Sequence, residues 1–240
     1  SNSASISGTE DVGGILGQGE FDTFARCVNK GTVTCTGNRV GGICGYIQSS
    51  VISECVNYGD VTGQNYSGGI GGQGSVFVSC INHGNIQGVN CVGGISGTSS
   101  DYSNYYSSDC TNYGAVTGKT TVGGTFGKLG SAVELLRNYG NVEGVSNVGG
   151  ISGIYAQTNK SITQCINEAN ITGTNNIGGI VGYFDVSGVK YTLTLSNNNT
   201  SGTITGATNV EQLVGLSDGT VVDDGTNITS GEVVIVQPEE

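Results

Sequence analysis

The sequence predicts an all-β, single-domain protein. It would fold as a parallel β-helix (β-solenoid) of about eight coils, with 25–33 residues and three short strands in each coil. Two repeated motifs and an alternation of apolar residues predict this fold. The first motif is a six-residue box around a glycine pair. Its copies are VGGILG from Val12, VGGICG from Val40, SGGIGG from Ser67, VGGISG from Val92, VGGTFG from Val122, VGGISG from Val148, IGGIVG from Ile177 and VEQLVG from Val210. Such a unit cannot bury its own apolar face and is stable only against its neighbours.

The second motif lies between consecutive boxes and places one asparagine at a fixed phase. It reads CVNKGTV from Cys27, CVNYGDV from Cys55, CINHGNI from Cys80, CTNYGAV from Cys110, LRNYGNV from Leu136, CINEANI from Cys165 and NNTSGTI from Asn198. A buried amide at the same turn of every coil can bond its neighbours above and below. The sequence therefore predicts a structural ladder of Asn29, Asn57, Asn82, Asn112, Asn138 and Asn167.

Apolar residues alternate with polar ones around both motifs, which indicates strands. Residues 50–57 begin the alternation at Val51, and Val61 lies between polar Asp60 and Thr62. Glycine in every segment long enough for a helix disfavours helices. The coil length varies only between the end of a box and the next cysteine position. Insertions confined in this way predict loops at one corner of the stack.

The repeats cover residues 1–215, and residues 216–240 follow as a separate segment. The last box loses its glycine pair to Glu211 and Gln212. Terminal repeats are usually atypical because an open edge would pair with another chain. We therefore predict a C-terminal β cap in residues 216–240, which end at the start of a linker.

The eight cysteines are phased like core residues. Five share one column, which also accepts Leu136, and we predict that they are buried free thiols. Disulfides between neighbouring turns are the second interpretation. Cys35, Cys44 and Cys91 lie at other positions of the repeat, and the sequence does not decide whether they are exposed or form disulfides. No C-x-x-C pair is present, so we expect no metal site and no cofactor.

Charged residues are sparse, and the net charge is −11. The eight basic residues are scattered, which argues against nucleic-acid binding. No apolar run reaches the roughly 20 residues of a membrane-spanning helix, so we expect no membrane insertion. The chain contains no methionine, even at position 1. We therefore expect that an export signal has been removed from its N-terminus.

The GGI-x-G box followed by N-x-G-x-V-x-G resembles the GLUG motif, and the resemblance covers roughly residues 5–215. Proteins with this motif are typically bacterial surface or secreted proteins, including IgA-cleaving metallopeptidases in which the repeats lie outside the catalytic part. The resemblance implies a surface location and repeat architecture, and it transfers no catalytic residue. A His-Glu-x-x-His site would need two histidines, whereas this chain has one.

No residue set amounts to a catalytic site. The single histidine, His83, aligns with Tyr58, Tyr113 and Glu168 in other coils, which is typical of a solvent-facing turn. No Ser-His-Asp or Cys-His pair is therefore credible. Acid–base cleavage of a sugar needs two carboxyl groups a few ångströms apart. Asp60 has no acidic neighbour in its column.

One of the longest insertions is the best functional candidate. Residues 99–109 carry Tyr102, Tyr105 and Tyr106 between Asp101 and Asp109. Tyrosine offers an apolar ring with a polar tip, which suits contact with sugars or protein. Tyr155 and Tyr183 fall in the same variable segment of later coils and are expected to join this aromatic face. The other interpretation is that the rings pack down and shield the solenoid.

These observations predict a non-enzymatic, extracellular repeat module of a bacterial cell-surface protein. It would display or space other domains of a longer chain and contact a host protein or polysaccharide through loops on one face. One alternative is a β-helix polysaccharide lyase or glycoside hydrolase, which two convergent carboxylates would favour. The second alternative is a purely structural stalk, which would lack exposed aromatic side chains on one face.

Overall fold

The computed structural model describes residues 1–20, 23–74, 76–99, 106–156, 159–188 and 190–236. Within these ranges the chain forms 41 β-strands and no helix. Strands of successive coils pair in parallel, and they build five sheets that we number in the order the chain visits them. The register keeps each motif position in one column, so that Asn57 lies beside Asn29 and Asn82. The parallel β-solenoid of about eight coils is therefore confirmed.

The five sheets run along the stack with one strand from each coil. Sheet 1 contains β1 (Ile6–Gly8), β6 (Val33–Cys35), β11 (Val61–Thr62), β16 (Ile86–Gln87), β21 (Val116–Thr117), β26 (Val142–Glu143), β31 (Ile171–Thr172), β36 (Ile204–Gly206) and β41 (Val233–Ile235). Sheet 2 contains β2 (Val12–Gly13), β7 (Asn38–Gly41), β12 (Asn65–Gly68), β17 (Asn90–Gly93), β22 (Thr120–Gly123), β27 (Ser146–Gly149), β32 (Asn175–Gly178) and β37 (Thr208–Glu211). Sheet 3 contains β3 (Leu16–Glu20), β8 (Cys44–Gln48), β13 (Gly71–Gly74), β18 (Ser96–Ser99), β23 (Phe126–Leu129), β28 (Ser152–Ala156), β33 (Val181–Asp185) and β38 (Val214–Ser217).

The remaining two sheets complete the coil. Sheet 4 contains β4 (Thr23–Ala25), β9 (Val51–Ser53), β14 (Val76–Val78), β19 (Ser107–Ser108), β24 (Val133–Glu134), β29 (Lys160–Thr163), β34 (Thr192–Ser196) and β39 (Thr220–Asp223). Sheet 5 contains β5 (Val28–Asn29), β10 (Val56–Asn57), β15 (Ile81–Asn82), β20 (Thr111–Asn112), β25 (Arg137–Asn138), β30 (Ile166–Asn167), β35 (Asn199–Thr200) and β40 (Ile228–Thr229).

Each coil has five short strands, where the alternation predicts three. Residues 50–57 read as one strand in the sequence, but Glu54 adopts a left-handed backbone with φ of 52° and divides them into β9 and β10. The equivalent residue Ser79 has φ of 51° and does the same in the next coil. The glycine box is divided too, because the chain bends between sheets 2 and 3. These breaks are backbone features that polar and apolar alternation does not reveal.

The interior contains two apolar clusters that run along the stack. The larger cluster lies between sheets 3, 4 and 5 and includes Ile43, Phe77 and Phe126. The smaller cluster lies between sheets 1 and 2 and is built mainly of valine and isoleucine, such as Val61 and Val92. Each cluster continues from coil to coil, as expected for a solenoid in which every coil packs mainly on its neighbours.

The second glycine of the box is required by the asparagine column. A Cβ on Gly42 would lie 2.3 Å from Asn57 Cγ and 2.3 Å from the Gly69 carbonyl oxygen. Both distances are far below van der Waals contact, so no larger residue fits without moving the ladder or the backbone. The same close approach recurs from Gly14 with Asn29 to Gly150 with Asn167. The two sequence motifs are therefore one packing unit.

Residues after the eighth box extend the existing sheets. Strands β39, β40 and β41 add to sheets 4, 5 and 1. The C-terminal segment therefore adds strands to the solenoid as far as Val236, and its role as a cap stays a prediction. Gln212, which replaces the second box glycine, donates from Nε2 to the Gly231 carbonyl oxygen at 2.6 Å. In earlier coils an asparagine amide makes the equivalent bond, for example Asn57 Nδ2 to Gly59 O at 2.7 Å.

All eight cysteines are unbridged. Four of the five in-phase thiols are fully buried, while Cys27 in the first coil is half-buried. Cys35 and Cys44 are also buried, and only Cys91 of the out-of-phase group is half-exposed. Side-chain hydrogen bonding to Cys80, followed by burial, raises the pKa of the Cys55 thiol. Burial raises the pKa of Cys165 to about 12. Thiols held neutral in this way are poor nucleophiles.

Variation in coil length falls in one connection, as the sequence predicts. The sheet 5 to sheet 1 connection contains three residues in every coil. Two residues join sheet 3 to sheet 4 between β8 and β9, whereas seven do so between β18 and β19. The corner between sheets 3 and 4 therefore carries the insertions. Among the described residues there is no helix long and apolar enough to cross a membrane.

Candidate ligand-binding surfaces

The aromatic loop segment is only partly within the described residues. Asp101, Tyr102 and Tyr105 lie outside them. Tyr106 immediately precedes β19 and is 50% exposed. Asp109 accepts a hydrogen bond from Arg137 Nη1 at 2.8 Å and one from Ser79 Oγ at 3.1 Å. The Asp109 carboxylate is therefore engaged in an exposed ion pair on the outside of sheet 5.

Tyr155 does not lie on an exposed aromatic face, and this expectation is wrong. Its side chain is fully buried, and its ring packs at 55° against Phe184 with centroids 5.9 Å apart. The reason is strand register: Tyr155 follows Ile154 in β28, and Ile154 occupies the outward position beside Tyr183. Tyr155 is therefore a core residue, although it belongs to the variable segment in the sequence.

Tyr183 points outward, and its hydroxyl donates a hydrogen bond to Asp218 Oδ2. This hydrogen bond, followed by desolvation and by the charges of Asp218 and Asp185, raises the pKa of Tyr183 to about 12. The phenol is therefore neutral at physiological pH and is a poor general base. Tyr183 lies three coils along the stack from Tyr106, and Tyr155 is buried, so the structure does not bring these three tyrosines together.

Four rings, three of them exposed and that of Tyr139 half-buried, instead form a continuous stack at the turn after sheet 5. Tyr58, His83, Tyr113 and Tyr139 occupy one column in four successive coils. Their centroids are 4.8 Å, 5.0 Å and 5.2 Å apart, with interplanar angles of 3°, 5° and 15°. His83 is solvent-exposed, as the sequence predicts. Alignment placed these residues at one phase, but it did not show that the coil rise brings their rings into stacking distance.

The ring faces in this stack contact one another, so mainly ring edges and hydroxyl groups remain for solvent. Tyr58 and Tyr113 are each about half exposed, at 52% and 50%. Parallel ring pairs contribute about 0.5–1.5 kcal/mol beyond the area they bury. The stack is therefore an external seam that ties four coils together, and it offers little ring face to a ligand.

The asparagine column of sheet 5 forms the ladder that its phase suggests. Asn57 uses all four hydrogen-bonding positions of its amide. Its Nδ2 donates to Asn82 Oδ1 at 2.8 Å and to Gly59 O at 2.7 Å. Its Oδ1 accepts from Asn29 Nδ2 at 2.8 Å and from Gly59 N at 3.3 Å. The six ladder residues, Asn29, Asn57, Asn82, Asn112, Asn138 and Asn167, are fully buried.

A second asparagine row lies on the outside of sheet 2. Asn65 Nδ2 donates to Asn38 Oδ1 at 2.7 Å, and Asn90 Nδ2 donates to Asn65 Oδ1 at 2.7 Å. The row begins at Glu10, whose carboxylate accepts from Asn38 Nδ2 at 2.9 Å and from Asn38 N at 3.3 Å. It ends at Thr120, whose hydroxyl donates to Asn90 Oδ1. Each of these asparagines is half-buried.

The outer row forms one wall of a groove that encloses about 740 Å³ across the first four coils. Its lining residues are Glu10, Asn38, Arg39, Asn65, Tyr66, Gln73, Asn90 and Cys91. Sequence reasoning missed this site. The signal for it was the asparagine that stands two residues before the box in coils two, three and four.

No group of three or more histidine, cysteine or acidic side chains that could hold a metal occurs within the described ranges. Comparison of the chain with protein-family models, curated proteins and solved structures finds no match.

Proposed function

We propose that this chain is a non-enzymatic, extracellular repeat module of a bacterial cell-surface protein, which displays other domains and contacts a ligand through loops at one corner. The observation that carries the proposal is the division between a regular stack and one variable corner. The other connections between sheets are nearly constant in length from coil to coil, and the insertions fall between sheets 3 and 4. Loops held on a rigid scaffold are where recognition residues concentrate.

The resemblance of the boxes to the GLUG motif supports a surface location. The stack itself supports a spacing role, because the ladder, the apolar clusters and the aromatic seam all run parallel to its length. Tyr106, 50% exposed at the variable corner, supports ligand contact there, together with Tyr102 and Tyr105 of the same segment.

The proposal is tested with the purified chain on two surfaces: a printed array of neutral and acidic oligosaccharides, and immobilised extracellular-matrix proteins. A variant with Tyr102, Tyr105 and Tyr106 all replaced by serine should unfold at nearly the same denaturant concentration as the wild type and lose binding. The matched control is Tyr58→Ser, which removes an exposed ring on another face and should bind like the wild type.

Each result decides between the interpretations. Binding lost by the triple variant but kept by Tyr58→Ser supports the corner as the contact site. No retention on either surface by the wild type would favour a purely structural stalk. A large destabilisation of the triple variant would show that the rings are packing elements, and shortening of a polysaccharide chain on incubation would favour an enzyme.

A further inference from the structure

We propose that the groove on the outside of sheet 2 binds a neutral polysaccharide, which lies along the solenoid axis with about one sugar residue per coil. This site is separate from the loop corner between sheets 3 and 4, and its argument does not depend on the function proposed above. It rests on four features of the groove: unused hydrogen-bonding capacity, charged side chains that already have partners, an exposed ring and a repeat along the axis.

The outer asparagines retain hydrogen-bonding capacity. An amide side chain has two N–H donors and two acceptor lone pairs. Asn65 uses one N–H toward Asn38 and one lone pair toward Asn90, so one of each remains. Asn38 and Asn90 likewise each keep one N–H donor and one acceptor lone pair unused. A sugar hydroxyl both donates and accepts, and it therefore matches a wall that offers a donor and an acceptor at every coil.

The charged side chains of the groove already have polar partners. The Glu10 carboxylate accepts two hydrogen bonds from Asn38. The Arg39 guanidinium pairs with Asp11, with Nε 2.5 Å from Oδ1, and stacks over the Tyr46 ring at 4.5 Å. The lining contains no other charged side chain, and burial raises the pKa of the Cys91 thiol. The chain's net charge of −11 would oppose an acidic ligand.

Tyr66 supplies the apolar contact. It lies in the middle of the groove and is 36% exposed. In contrast to the rings of the outer seam, it forms no stacked ring pair within the described residues. An exposed ring beside amide groups suits the C–H face and the hydroxyl groups of a sugar.

The repeat of the wall determines the shape of the ligand. The asparagines recur once per coil, and neighbouring strands in a sheet are about 4.8 Å apart. A pyranose unit of an extended chain has a similar length. A linear polymer can therefore present a hydroxyl to each successive amide, whereas a compact ligand would reach only one or two.

The experiment measures binding of mannan, dextran and xylan, with polygalacturonate and hyaluronan as acidic comparisons, by isothermal titration calorimetry. Asn65→Ala and Tyr66→Ala should each weaken binding of a neutral polymer about tenfold, because each removes a principal contact. Thr117→Ala on the outside of sheet 1 is the matched control. The serine variant of Tyr102, Tyr105 and Tyr106 should bind these polymers like the wild type, which separates this site from the loop corner.

A second measurement needs no variant. In ¹⁵N-resolved NMR spectra, a neutral oligosaccharide should shift the side-chain amide signals of Asn38, Asn65 and Asn90. Those of the buried Asn57 and Asn82 should stay unchanged. Absence of such shifts at millimolar oligosaccharide would overturn the proposal, as would groove-dependent binding that prefers the acidic polymers. Neutral-polymer binding that survives both Asn65→Ala and Tyr66→Ala would overturn it too.

Discussion

The protein contains two rows of asparagine that repeat once per coil, one inside sheet 5 and one outside sheet 2. In the inner row the amides donate toward the following coil, as Asn57 does to Asn82. In the outer row they donate toward the preceding coil, as Asn65 does to Asn38. The inner amides use most of their donors and acceptors, and Asn57 uses all of them, whereas the outer amides use half. The same residue at the same period thus has two different roles.

The difference arises from what surrounds each row. The inner amides lie between the box glycines and the turn carbonyls, where no water can replace a lost partner. An unsatisfied buried polar group costs about 1–3 kcal/mol, so full pairing is required there. The outer amides border a groove, where water or a ligand can occupy the remaining positions. Dense pairing of buried amides is typical of a structural ladder, and the unused capacity of half-buried amides leaves positions that a ligand can occupy.

A matched pair of substitutions gives the strongest test of this difference between the two rows. Asn82→Leu should lower the free energy of unfolding by about 4 kcal/mol, since it orphans the Gly84 carbonyl and the amides of Asn57 and Asn112. Asn65→Leu should lower it by less than about 1 kcal/mol, because its neighbours can bond to water. Guanidinium denaturation followed by circular dichroism measures both. Equal losses would contradict the division into structural and binding rows.

The next test concerns the glycine against which the inner row packs. Gly69→Ala should destabilise the protein by about 3 kcal/mol, because overpacking a filled interior is costly. The new Cβ would lie 2.2 Å from the Gly94 carbonyl oxygen and 2.3 Å from Asn82 Cγ. Gly188→Ala is the control: it has φ of 82° but open space around it, so only backbone strain of about 1 kcal/mol applies. A Gly69→Ala protein as stable as this control would remove the packing argument.

A smaller effect is expected where the inner row ends. Gln212→Ala should cost about 1–2 kcal/mol and speed amide hydrogen exchange around Gly231, whose carbonyl loses its donor. Glu211→Ala, at the adjacent position, should change neither quantity appreciably. If Gln212→Ala also left exchange unchanged, the side chain would not serve as the substitute for a ladder amide.

The smallest effect is expected at the outer aromatic seam. His83→Ala removes two ring contacts and should lower stability by about 1 kcal/mol. His83→Tyr restores a ring of the kind found on both sides and should match the wild type. Thermal unfolding distinguishes them, and a tyrosine variant as unstable as the alanine variant would show that the stack contributes nothing as a stack.

Much of the fold could be predicted from the sequence because residues at equivalent positions of the coil recur at nearly regular spacing. Val61 and Ile86 lie in one column in the sequence and pair in sheet 1. The number of strands could not be predicted, because it depends on left-handed residues such as Glu54 and Ser79 that have no common chemical character. The sequence also did not predict whether Cys35 and Cys44 are buried, since each lies outside the main repeated columns.

The candidate sites were harder to predict than the fold, since they depend on which side chains meet across coils. Tyr155 and Tyr106 belong to the same variable segment, yet strand register buries the first and leaves the second exposed. The groove was missed because Asn38, Asn65 and Asn90 resemble ordinary turn residues when each is considered alone. Only the stacked register reveals that they share a wall with Tyr66.

The final box has a consequence for how this protein behaves in concentrated solution. A parallel sheet edge is a template on which further strands can add, and unlimited addition produces fibres. In the inner coils a Cβ on Gly41 would lie 2.7 Å from Gly71 Cα of the next coil. A further coil can therefore add in register only where glycine occupies this position. Glu211 puts a charged side chain there, at the exposed ends of sheets 2 and 3. The eighth coil therefore obstructs templated growth from these edges.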